Sequence, residues 1–317
     1  MLNVERIGEY ELEKELLIEE FDIGAFLRKK YIKYKNIFQI IIICISLLIV
    51  VKRFPIKNIN HNHIFEKEPL VNMYISTHKD FKNNVITNQV YKILCDNKTQ
   101  LTLNYDLEII ETNKDNILYP KSRGYSEGSK IYPIWKSYKE GSISSKYVGL
   151  FHYRRVFPFK NDIPNLDEIF KNYDAIVKNQ DKMQISVYKQ FDDYHIIHFL
   201  DECIDIIKEK YPEYYDDTKK LFTKKSISFC NIFIAKKEDF IKWGEFVFGV
   251  LLELDRKYNL NTDDDIKNLI INESKNITKK LNIDYQARLE AFLMERIGYV
   301  FYEHHWKKMY ELPNVDI

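Results

Sequence analysis

Four consecutive residues, His152, Tyr153, Arg154 and Arg155, form the densest group of chemically active side chains in the sequence. They follow an apolar stretch at residues 147–151 (YVGLF), which is typical of a buried β-strand. Two guanidiniums at a strand end suit a diphosphate or a carboxylate, because arginine offers permanently charged donors in bidentate geometry. The Tyr153 ring is suited to stacking on a base or a sugar. A surface turn whose arginines pair with Asp or Glu is an equally open alternative at this stage.

A second polar group, Thr77, His78 and Lys79, lies at the end of another apolar run at residues 71–77 (VNMYIST). Two more strands and four helices are predicted from apolar periodicity: strands at 174–177 and 232–235, and helices at 131–138, 195–210, 240–258 and 287–302. Strands separated by helices indicate an α/β domain with a largely parallel sheet. Ligands of such sheets bind at the carboxyl ends of the strands, so both polar groups are candidates for a binding site.

Several familiar catalytic patterns are absent from the sequence. There is no GxGxxG and no GxxxxGK[ST], so a dinucleotide-binding or P-loop protein has no support. There is no GxSxG, which argues against an α/β-hydrolase. No CxxC occurs, and Cys95, Cys203 and Cys230 are far apart, so no zinc site is indicated. The acidic run at residues 263–265 (DDD) lies in a polar stretch, which favours a solvated loop over a metal site.

The composition limits the class of protein further. The chain has 317 residues, of which 45% are apolar, and this excludes wholesale disorder. Lys and Arg number 48 against 47 Asp and Glu, a net charge of +1 that argues against a protein that coats nucleic acid. Four cysteines cannot form a disulfide scaffold. We expect one large globular domain with an appendage and no nucleic-acid partner.

Residues 37–51 (IFQIIIICISLLIVV) form the strongest apolar segment, and none of them is charged. A helix of this length covers about 22 Å, short of the ~30 Å hydrocarbon core, but flanking lysines and arginines can extend it by snorkelling. We therefore predict a transmembrane anchor, with a buried core helix or strand as the alternative. Five basic residues closely precede the segment and three follow it, which favours a cytoplasmic N-terminus.

These features divide the chain into four parts: an N-terminal tail at 1–36, the anchor at 37–51, a stem at 52–70 and a large domain at 71–317. The layout predicts a single-pass membrane protein. In a eukaryotic host, a cytoplasmic N-terminus would place the large domain in a Golgi-like lumen.

Several longer segments occur in an order that resembles a known family. They are NMYISTHK (72–79), SEGSKIYPIWKSYKEG (126–141), YVGLFHYRRVF (147–157), the stretches 188–217 and 228–255, and YQARLEAFLMERI (285–297). Together they resemble a GT-A-like family of capsule and lipopolysaccharide biosynthesis clusters, filed as a domain of unknown function and associated with glycosyl transfer. Features of that family include a strand ending in Thr-His-Lys and a Gly-Leu-x-His-Tyr-Arg-Arg motif. The resemblance spans roughly residues 71–306.

The resemblance implies a GT-A-like α/β fold, in which helices flank a mixed, mostly parallel sheet, here with an N-terminal membrane helix. It also implies a nucleotide-sugar donor and a glycan or glycolipid acceptor. The expected catalytic residues are His152, Arg154, Arg155 and Glu295. The expected donor-binding residues are Thr77, His78, Lys79, Tyr153 and Glu127. The expected acceptor-side residues are His195, Asp193, Asn231, Arg288 and Arg296.

The leaving diphosphate of the donor needs a counter-charge. Many GT-A enzymes supply a metal ion on an Asp-x-Asp site, but no such pair follows a predicted strand here. We therefore expect Arg154 or Arg155, with Lys79, to neutralise the diphosphate without an obligatory metal. Mg or Mn remains an alternative, and Asp192 and Asp193 form the nearest acidic pair for it.

The sequence leaves the acceptor base open between Glu295, His195 and Asp193. It also departs from the family at residues 122–126 (SRGYS) and at Val156, which leaves the donor unassigned. The expected function is a membrane-anchored glycosyltransferase. The main alternative is a catalytically inactive, transferase-like protein that binds carbohydrate or acts as a scaffold. A phosphotransferase is a weaker alternative, because a phosphate loop and a carboxylate metal pair are both missing.

Overall fold

The computed structural model of the chain describes residues 69–81, 86–102, 106–275, 277–278 and 280–316. The chain divides into two compact units, Met1–Glu66 and Lys67–Ile317, and every described residue belongs to the second. The predicted tail, the predicted anchor at 37–51 and nearly all of the predicted stem lie outside the described residues. None of the helices within the described ranges combines the length and the apolar character needed to cross a membrane.

The domain is built around a mixed β-sheet. Its strands, with those of a small separate ribbon, are numbered β1 to β11: Val71–Ser76, Tyr91–Cys95, Glu108–Glu111, Tyr147–His152, Arg155–Val156, Ala175–Lys178, Asp181–Lys182, Ser226–Ile227, Phe233–Lys236, Met309–Leu312 and Val315–Asp316. The order across the main sheet is β10-β6-β9-β4-β1-β2-β3, while β7 and β8 pair separately. β1 runs parallel to β2 and β4, and β2 parallel to β3. β9 runs antiparallel to β4 and β6, so the sheet is mixed but mostly parallel, which confirms the predicted architecture.

Helices flank this sheet. They are numbered α1 to α10: Ser122–Tyr125, Glu127–Lys139, Leu166–Ile169, Val187–Tyr194, Ile197–Lys210, Tyr215–Thr223, Lys237–Tyr258, Asp263–Ser274, Ile283–Gln286 and Leu289–His305. Short 3-10 turns occur at Lys98–Gln100, Tyr119–Lys121 and Pro212–Tyr214. α10 is buried along most of its length and on all sides, which is the pattern of a helix enclosed by other elements.

The apolar core lies on both faces of the sheet. All six residues of β1 are buried, and its alternate side chains enter two different apolar clusters. Met73 and Ile75 pack on one face, and Tyr74 packs on the other with residues of α2 and α7. A strand covered on both faces needs apolar residues at nearly every position, which explains why residues 71–76 read as an unbroken apolar run.

The four predicted strands and four predicted helices are all present, with ends shifted by a few residues. Two details of the sequence-based interpretation were wrong. Residues 263–265 are not a loop but the first turn of α8, where acidic side chains are favoured by the helix dipole. His195 does not begin a helix, because it is the residue that ends α4 and α5 starts at Ile197.

Candidate functional site

The carboxyl ends of three parallel strands meet at one edge of the sheet. Ser76 of β1 is in register with His152 of β4 and with Leu94 of β2. The residues that follow these strands therefore lie side by side, and they include His78 after β1 and Asp96 after β2. This is the edge at which open α/β sheets bind ligands.

A cavity of about 320 Å³ opens at this edge. Its wall includes His152 and Arg154 from the end of β4, Glu127 from the start of α2, and Glu295 from α10. Because it brings two acidic side chains together, we call it the carboxylate cavity. The arginine that follows β4 and two carboxylates from helices thus line the same cavity.

A second cavity of about 310 Å³ has His78, Asp96 and Lys130 in its wall, and we call it the lysine cavity. Ser126 and Arg288 line both cavities, so the two spaces are neighbours. Arg288 donates a hydrogen bond to Ser126 Oγ at 3.2 Å. The pair of cavities therefore forms one divided cleft, with a polar partition between its halves.

Two guanidiniums in this cleft lack a carboxylate partner. Arg154 is exposed, and its guanidinium lies 5.2 Å from the centre of the Tyr153 ring. Arg288 is the residue before the first turn of α10 and contacts Ser126. Neither forms an ion pair with an acidic side chain in the part of the chain that the structure describes. Unpaired guanidiniums that face a cavity are suited to binding an anion.

Arg155 does not share this position. β4 and β5 form a tight hairpin in which Arg155 pairs back with His152, so Tyr153 and Arg154 occupy the turn. Arg155 contacts Cys230 Sγ at 3.5 Å and lines neither of the two cavities. Of the two arginines that are candidates for the diphosphate, Arg154 alone lines the cleft.

Glu127 is partly buried and accepts a hydrogen bond from a neighbouring amide. Asn231 Nδ2 donates to Glu127 Oε1 at 3.0 Å. Burial raises the pKa of the Glu127 carboxyl to about 7, and the nearby charge of Glu295 pushes that pKa in the same direction. A carboxyl group with this pKa exchanges a proton readily at neutral pH, which is the requirement for a general acid or base.

Glu295 is held differently, because both of its oxygens are engaged. Oε1 accepts a hydrogen bond from the backbone N–H of Cys230 at 3.1 Å, and Oε2 pairs with Arg296 Nη1 at 2.9 Å. Arg296 is itself 2% exposed and lies over the rings of Phe191 and Phe229. Both carboxylate oxygens of Glu295 are therefore occupied by partners that fix the side chain in the cavity wall.

His78 and His152, two of the histidines that line the cleft, are neutral at physiological pH. The pKa of His152 is lowered to about 3 by burial and by the charges of Arg154 and Arg155. The pKa of His78 is also lowered, by burial first and then by the charge of Lys130. Both rings therefore serve as neutral hydrogen-bonding groups, and the positive charge of the cleft comes from its arginines and lysine.

Lys130 is the fixed cation of the lysine cavity. Its side chain is almost fully buried, pairs with Asp96 Oδ2 at 2.8 Å and donates to the carbonyl oxygen of Ser126 at 3.1 Å. This ion pair joins α2 to the end of β2. It fixes the distance between the helix that begins at Glu127 and the sheet edge.

The backbone is strained at three residues that lie in or support the carboxylate cavity. Ser126, Cys230 and Asn231 have φ of 51°, 76° and 45°, the left-handed region that side chains other than glycine rarely adopt. A Cβ on Gly298 of α10 would lie only 2.7 Å from Asn231 Oδ1, so the helix packs directly against this turn. Strained residues that tight packing holds in place are common at functional sites.

Three of the expected donor-binding residues form a supporting layer. Thr77 Oγ1 makes a local turn, donating to the Lys79 carbonyl at 2.5 Å and accepting from the Lys79 N–H. Tyr153 is only 5% exposed, and its ring packs against His78 and His152, with centroids 5.1 and 4.4 Å apart. None of Thr77, Lys79 and Tyr153 lines either cavity, and Tyr153 offers no open face for stacking. They position the histidines of the cleft.

The expected acceptor-side residues are divided. Arg288, Arg296 and His195 line the carboxylate cavity, whereas Asn231 lies behind Glu127 as its hydrogen-bond donor. Asp193 is exposed outside the two cavities and pairs with Lys189 at 2.7 Å.

The same lysine pairs with Asp192 at 2.9 Å, so both members of the acidic pair that was the alternative metal site are engaged in ion pairs. In the described ranges, no three His, Cys, Asp or Glu side chains are grouped so that they could hold a metal ion.

Sequence reasoning missed several residues of the cleft, namely Asp96, Lys130, Ser126, Tyr194 and Tyr285. The position of Asp96 could have been read from the sequence, because it follows the apolar run 91–95 (YKILC) in the same way that His152 follows the apolar run 147–151. The others become neighbours only through helix packing, which spacing along the chain does not encode.

Comparison with known proteins agrees with this architecture. A family model described as "Domain of unknown function (DUF4422)" matches residues 72–271. Among solved structures, the chain is similar to one titled WbbM bifunctional glycosyltransferase, in its apo form, with a TM-score of 0.56 and 18% identity. The match covers 78% of this chain and 45% of that chain, so this chain corresponds to less than half of that protein, and at this identity the likeness is one of fold. A comparison with curated proteins returns no match.

Proposed function

The chain belongs to the DUF4422 family, and we propose that it is a glycosyltransferase that moves a sugar from a nucleotide-sugar donor to a glycan or glycolipid acceptor. One observation carries the proposal: the unpaired guanidiniums of Arg154 and Arg288 line the same cavity as Glu127. An anion site beside a titratable carboxyl group is what glycosyl transfer from a diphosphate donor requires. The fold shared with a protein titled as a glycosyltransferase supports the same assignment.

The proposed reaction uses these groups in one step. The diphosphate of the donor lies against Arg154 and Arg288, whose charges stabilise the negative charge that develops as the bond from the sugar to the diphosphate oxygen breaks. The acceptor hydroxyl forms the new bond to the sugar carbon and gives its proton to Glu127. Glu127 replaces the base candidates Glu295, His195 and Asp193, because Glu295 is held by two partners and Asp193 lies outside the cavity.

A donor screen tests the proposal. The full-length chain is incubated with UDP-, GDP-, CMP- and dTDP-activated sugars, with and without EDTA, and released nucleotide is measured. We expect release from one donor class, and its loss in Glu127→Gln. Failure of all donors to release nucleotide, together with retained binding of a free nucleotide or a sugar, would favour the inactive carbohydrate-binding or scaffold alternative. Release that EDTA abolishes would contradict metal-independent neutralisation by arginine.

The predicted anchor belongs to the same proposal. We propose that residues 37–51 hold the protein in a membrane with its N-terminus in the cytoplasm, because this uncharged apolar run is preceded by more basic residues than follow it. The full-length chain should then stay in the membrane fraction after alkaline carbonate extraction. A variant with two apolar residues of the run changed to Lys should be released. Complete extraction of the unaltered chain would refute the anchor.

A further inference from the structure

Two tyrosines at the carboxylate cavity are unusually exposed. Tyr194 is 62% exposed and Tyr285 is 48% exposed, and both belong to the cavity wall. Most of the large aromatic side chains in the described ranges are buried in the core. An aromatic ring left in water at the mouth of a cavity gives up the stabilisation that burial would supply, and such rings commonly mark binding surfaces.

The segments that carry the two tyrosines are fixed to each other by one buried residue. Gln286 Nε2 donates to the carbonyl oxygen of Tyr194 at 2.9 Å, and Gln286 Oε1 lies 3.2 Å from His195 Nδ1. Gln286 is only 4% exposed, so these bonds are shielded from water. The end of α4 and the short helix α9 therefore hold the two exposed residues in a set arrangement before any ligand binds.

The Tyr285 ring is also supported from below. Its centre lies 4.9 Å from that of Phe292 and 6.2 Å from that of His195, with the His195 ring nearly parallel to it. These rings form a layered aromatic wall whose outer face is Tyr285. Preorganised aromatic surfaces bind with a small loss of conformational entropy, because the side chains are already ordered.

The tyrosines lie in the half of the cleft that holds the proposed base. Both line the carboxylate cavity with Glu127, and neither lines the lysine cavity with Lys130 and Asp96. Arg288 lines both cavities and marks the boundary. A molecule seated against the tyrosines therefore shares the carboxylate cavity with Glu127 and Arg154, and it lies outside the lysine cavity.

We propose that Tyr194 and Tyr285 form the acceptor subsite, in which the terminal sugar ring of the acceptor stacks on aromatic faces and presents its hydroxyl to Glu127. This inference rests on the proposed function and identifies which end of the cleft receives the acceptor. A sugar ring suits the site because its C–H face packs on an aromatic ring while its hydroxyls remain hydrogen-bonded. The outer aromatic face carries no formal charge, so a neutral ring is a better occupant than a phosphate.

The experiment separates sugar binding from nucleotide binding. The full-length protein is titrated with methyl β-D-galactopyranoside, methyl β-D-glucopyranoside and methyl α-D-mannopyranoside, followed by saturation-transfer NMR, and separately with UDP and GDP by calorimetry. Tyr194→Ala and Tyr285→Ala should each weaken glycoside binding by about tenfold or more. The corresponding Tyr→Phe variants should retain it, and nucleotide affinity should be unchanged. Tyr173→Ala is the matched control, since Tyr173 is 37% exposed and lines neither cavity.

Three results would overturn the subsite. The first is glycoside binding that survives in the double variant Tyr194→Ala, Tyr285→Ala. The second is a loss of nucleotide affinity in that double variant, which would place the nucleobase on the tyrosines. The third is the absence of glycoside binding by the unaltered protein at millimolar glycoside concentration. None of these readouts needs turnover. If the protein is inactive but binds glycosides through the tyrosines, the proposed reaction is refuted and the sugar-binding subsite stands. If the protein is active but insensitive to the tyrosine changes, the subsite is refuted and the proposed reaction stands.

Discussion

At the scale of single residues, the cleft separates charges that are paired from charges that are not. Lys130 and Arg296 are nearly fully buried and each has a carboxylate partner, Asp96 and Glu295, within 3 Å. Pairing of this kind is what makes a buried charge tolerable. Arg154 has no such partner among the described residues, and it lines the cavity. The paired residues are therefore assigned to structure, and the unpaired ones to ligand binding.

The first prediction distinguishes two adjacent arginines. Arg154→Ala and Arg288→Ala should each lower kcat by about 10²- to 10³-fold, the usual cost of removing one preorganised charge that stabilises a transition state. Arg155→Ala should have a much smaller effect, because Arg155 points to Cys230 and lines neither cavity. Steady-state kinetics on the three variants measures this. Equal losses at Arg154 and Arg155 would contradict the assignment and leave either arginine as a candidate for the diphosphate.

The second prediction concerns pH and Glu127. A base must be ionised, so kcat/KM should rise with pH through about 7, the pKa of Glu127, and level off above it. Glu127→Gln should lower kcat by about 10²- to 10⁴-fold and remove this rise. The side chain of Gln keeps the shape and the acceptor oxygen that faces Asn231. A pH–rate profile that keeps its rise near 7 in this variant would assign the proton to another group.

A stability measurement serves as the control for Glu127→Gln. The folded-state pKa of Glu127 is raised above its usual value of 4.5, so its contribution to stability is fully present below pH 4.5 and is lost as the pH rises through about 7. Gln cannot ionise. The variant should therefore melt at a higher temperature than the unaltered protein at pH 8, which would show that lost turnover is not lost folding. A lower melting temperature at pH 8 would argue against a buried, costly carboxylate.

At the scale of elements, the sequence pattern predicted strands and helices that have a regular apolar repeat, and it missed elements that lack one. The unbroken apolar runs at β1 and β4 predicted both strands and the polar residues after them. β3 (EIIE) is an edge strand with no fully buried residue, so it has no apolar pattern to recognise. The acidic run 263–265 read as a loop because a helix N-terminus favours acidic residues as strongly as a solvated loop does.

The same limit applies to the cleft. His152 and Arg154 were predictable because they lie at the end of a strand, whereas Glu127 was implied only by the family resemblance. An ion pair of Glu295 with Arg288 or Arg296 was also predictable from their closeness on one helix, and it forms with Arg296. The hydrogen bond from the Cys230 amide to Glu295 was not, because it depends on how α10 packs against a turn 65 residues earlier in the chain. Sequence spacing thus supplied candidate side chains, and only the packed fold shows which of them face the same space.

The third prediction tests how α8 begins. Thr262 Oγ1 accepts from the Asp265 N–H at 3.2 Å, and Asp265 Oδ2 accepts from the Thr262 N–H at 2.9 Å, which is a reciprocal capping box. Asp263 accepts from the backbone N–H of Gly124, so this helix end also holds α1. Thr262→Ala should lower the free energy of unfolding by about 1 kcal/mol. Urea unfolding measures the loss, and Thr262→Ser should retain the native value.

Thr262 is exposed and lines neither cavity, so turnover should stay near that of the unaltered protein in Thr262→Ala. A large fall in kcat without unfolding would show that α1 transmits the position of α8 to the cleft. Equal stability of the Ala and Ser variants would show that the capping box does not hold this helix end.

At the scale of the whole molecule, α10 joins the cleft to the interior. Its residues Glu295 and Arg296 line the carboxylate cavity, while Glu290, nearer the start of the helix, is completely buried. Glu290 lies near a buried cluster in which Lys121 Nζ and the Tyr125 hydroxyl both donate to Asp255 Oδ2. Lys121 and Asp255 are more than 130 residues apart in the sequence, so the cluster ties the segment before α1 to α7.

The fourth prediction assigns the charges of this cluster. Burial and the charge of Asp255 hold the pKa of Glu290 well above its usual value, so Glu290 is a neutral acid at neutral pH, and Lys121 neutralises Asp255 alone. Lys121→Met should then lower the free energy of unfolding by about 3–5 kcal/mol, since it leaves Asp255 buried without a counter-charge. Glu290→Gln should cost little. The raised pKa of Glu290 means that the unaltered protein loses stability as the pH rises toward that pKa, whereas Gln cannot ionise. The stability of Glu290→Gln relative to the unaltered protein should therefore increase with pH.

Urea unfolding of both variants at pH 6 and pH 8 measures these differences. Lys121→Arg is the matched control, because it keeps the charge that Asp255 requires, and it should lose less stability than Lys121→Met. If Glu290→Gln is instead as damaging as Lys121→Met, Glu290 is ionised and pairs with the lysine. That result would move a negative charge into the base of α10, next to the helix start at which Arg288 lines both cavities. The positive potential proposed for the diphosphate position would then depend mainly on Arg154, the unpaired guanidinium that lies farther along the cavity wall in the turn after β4.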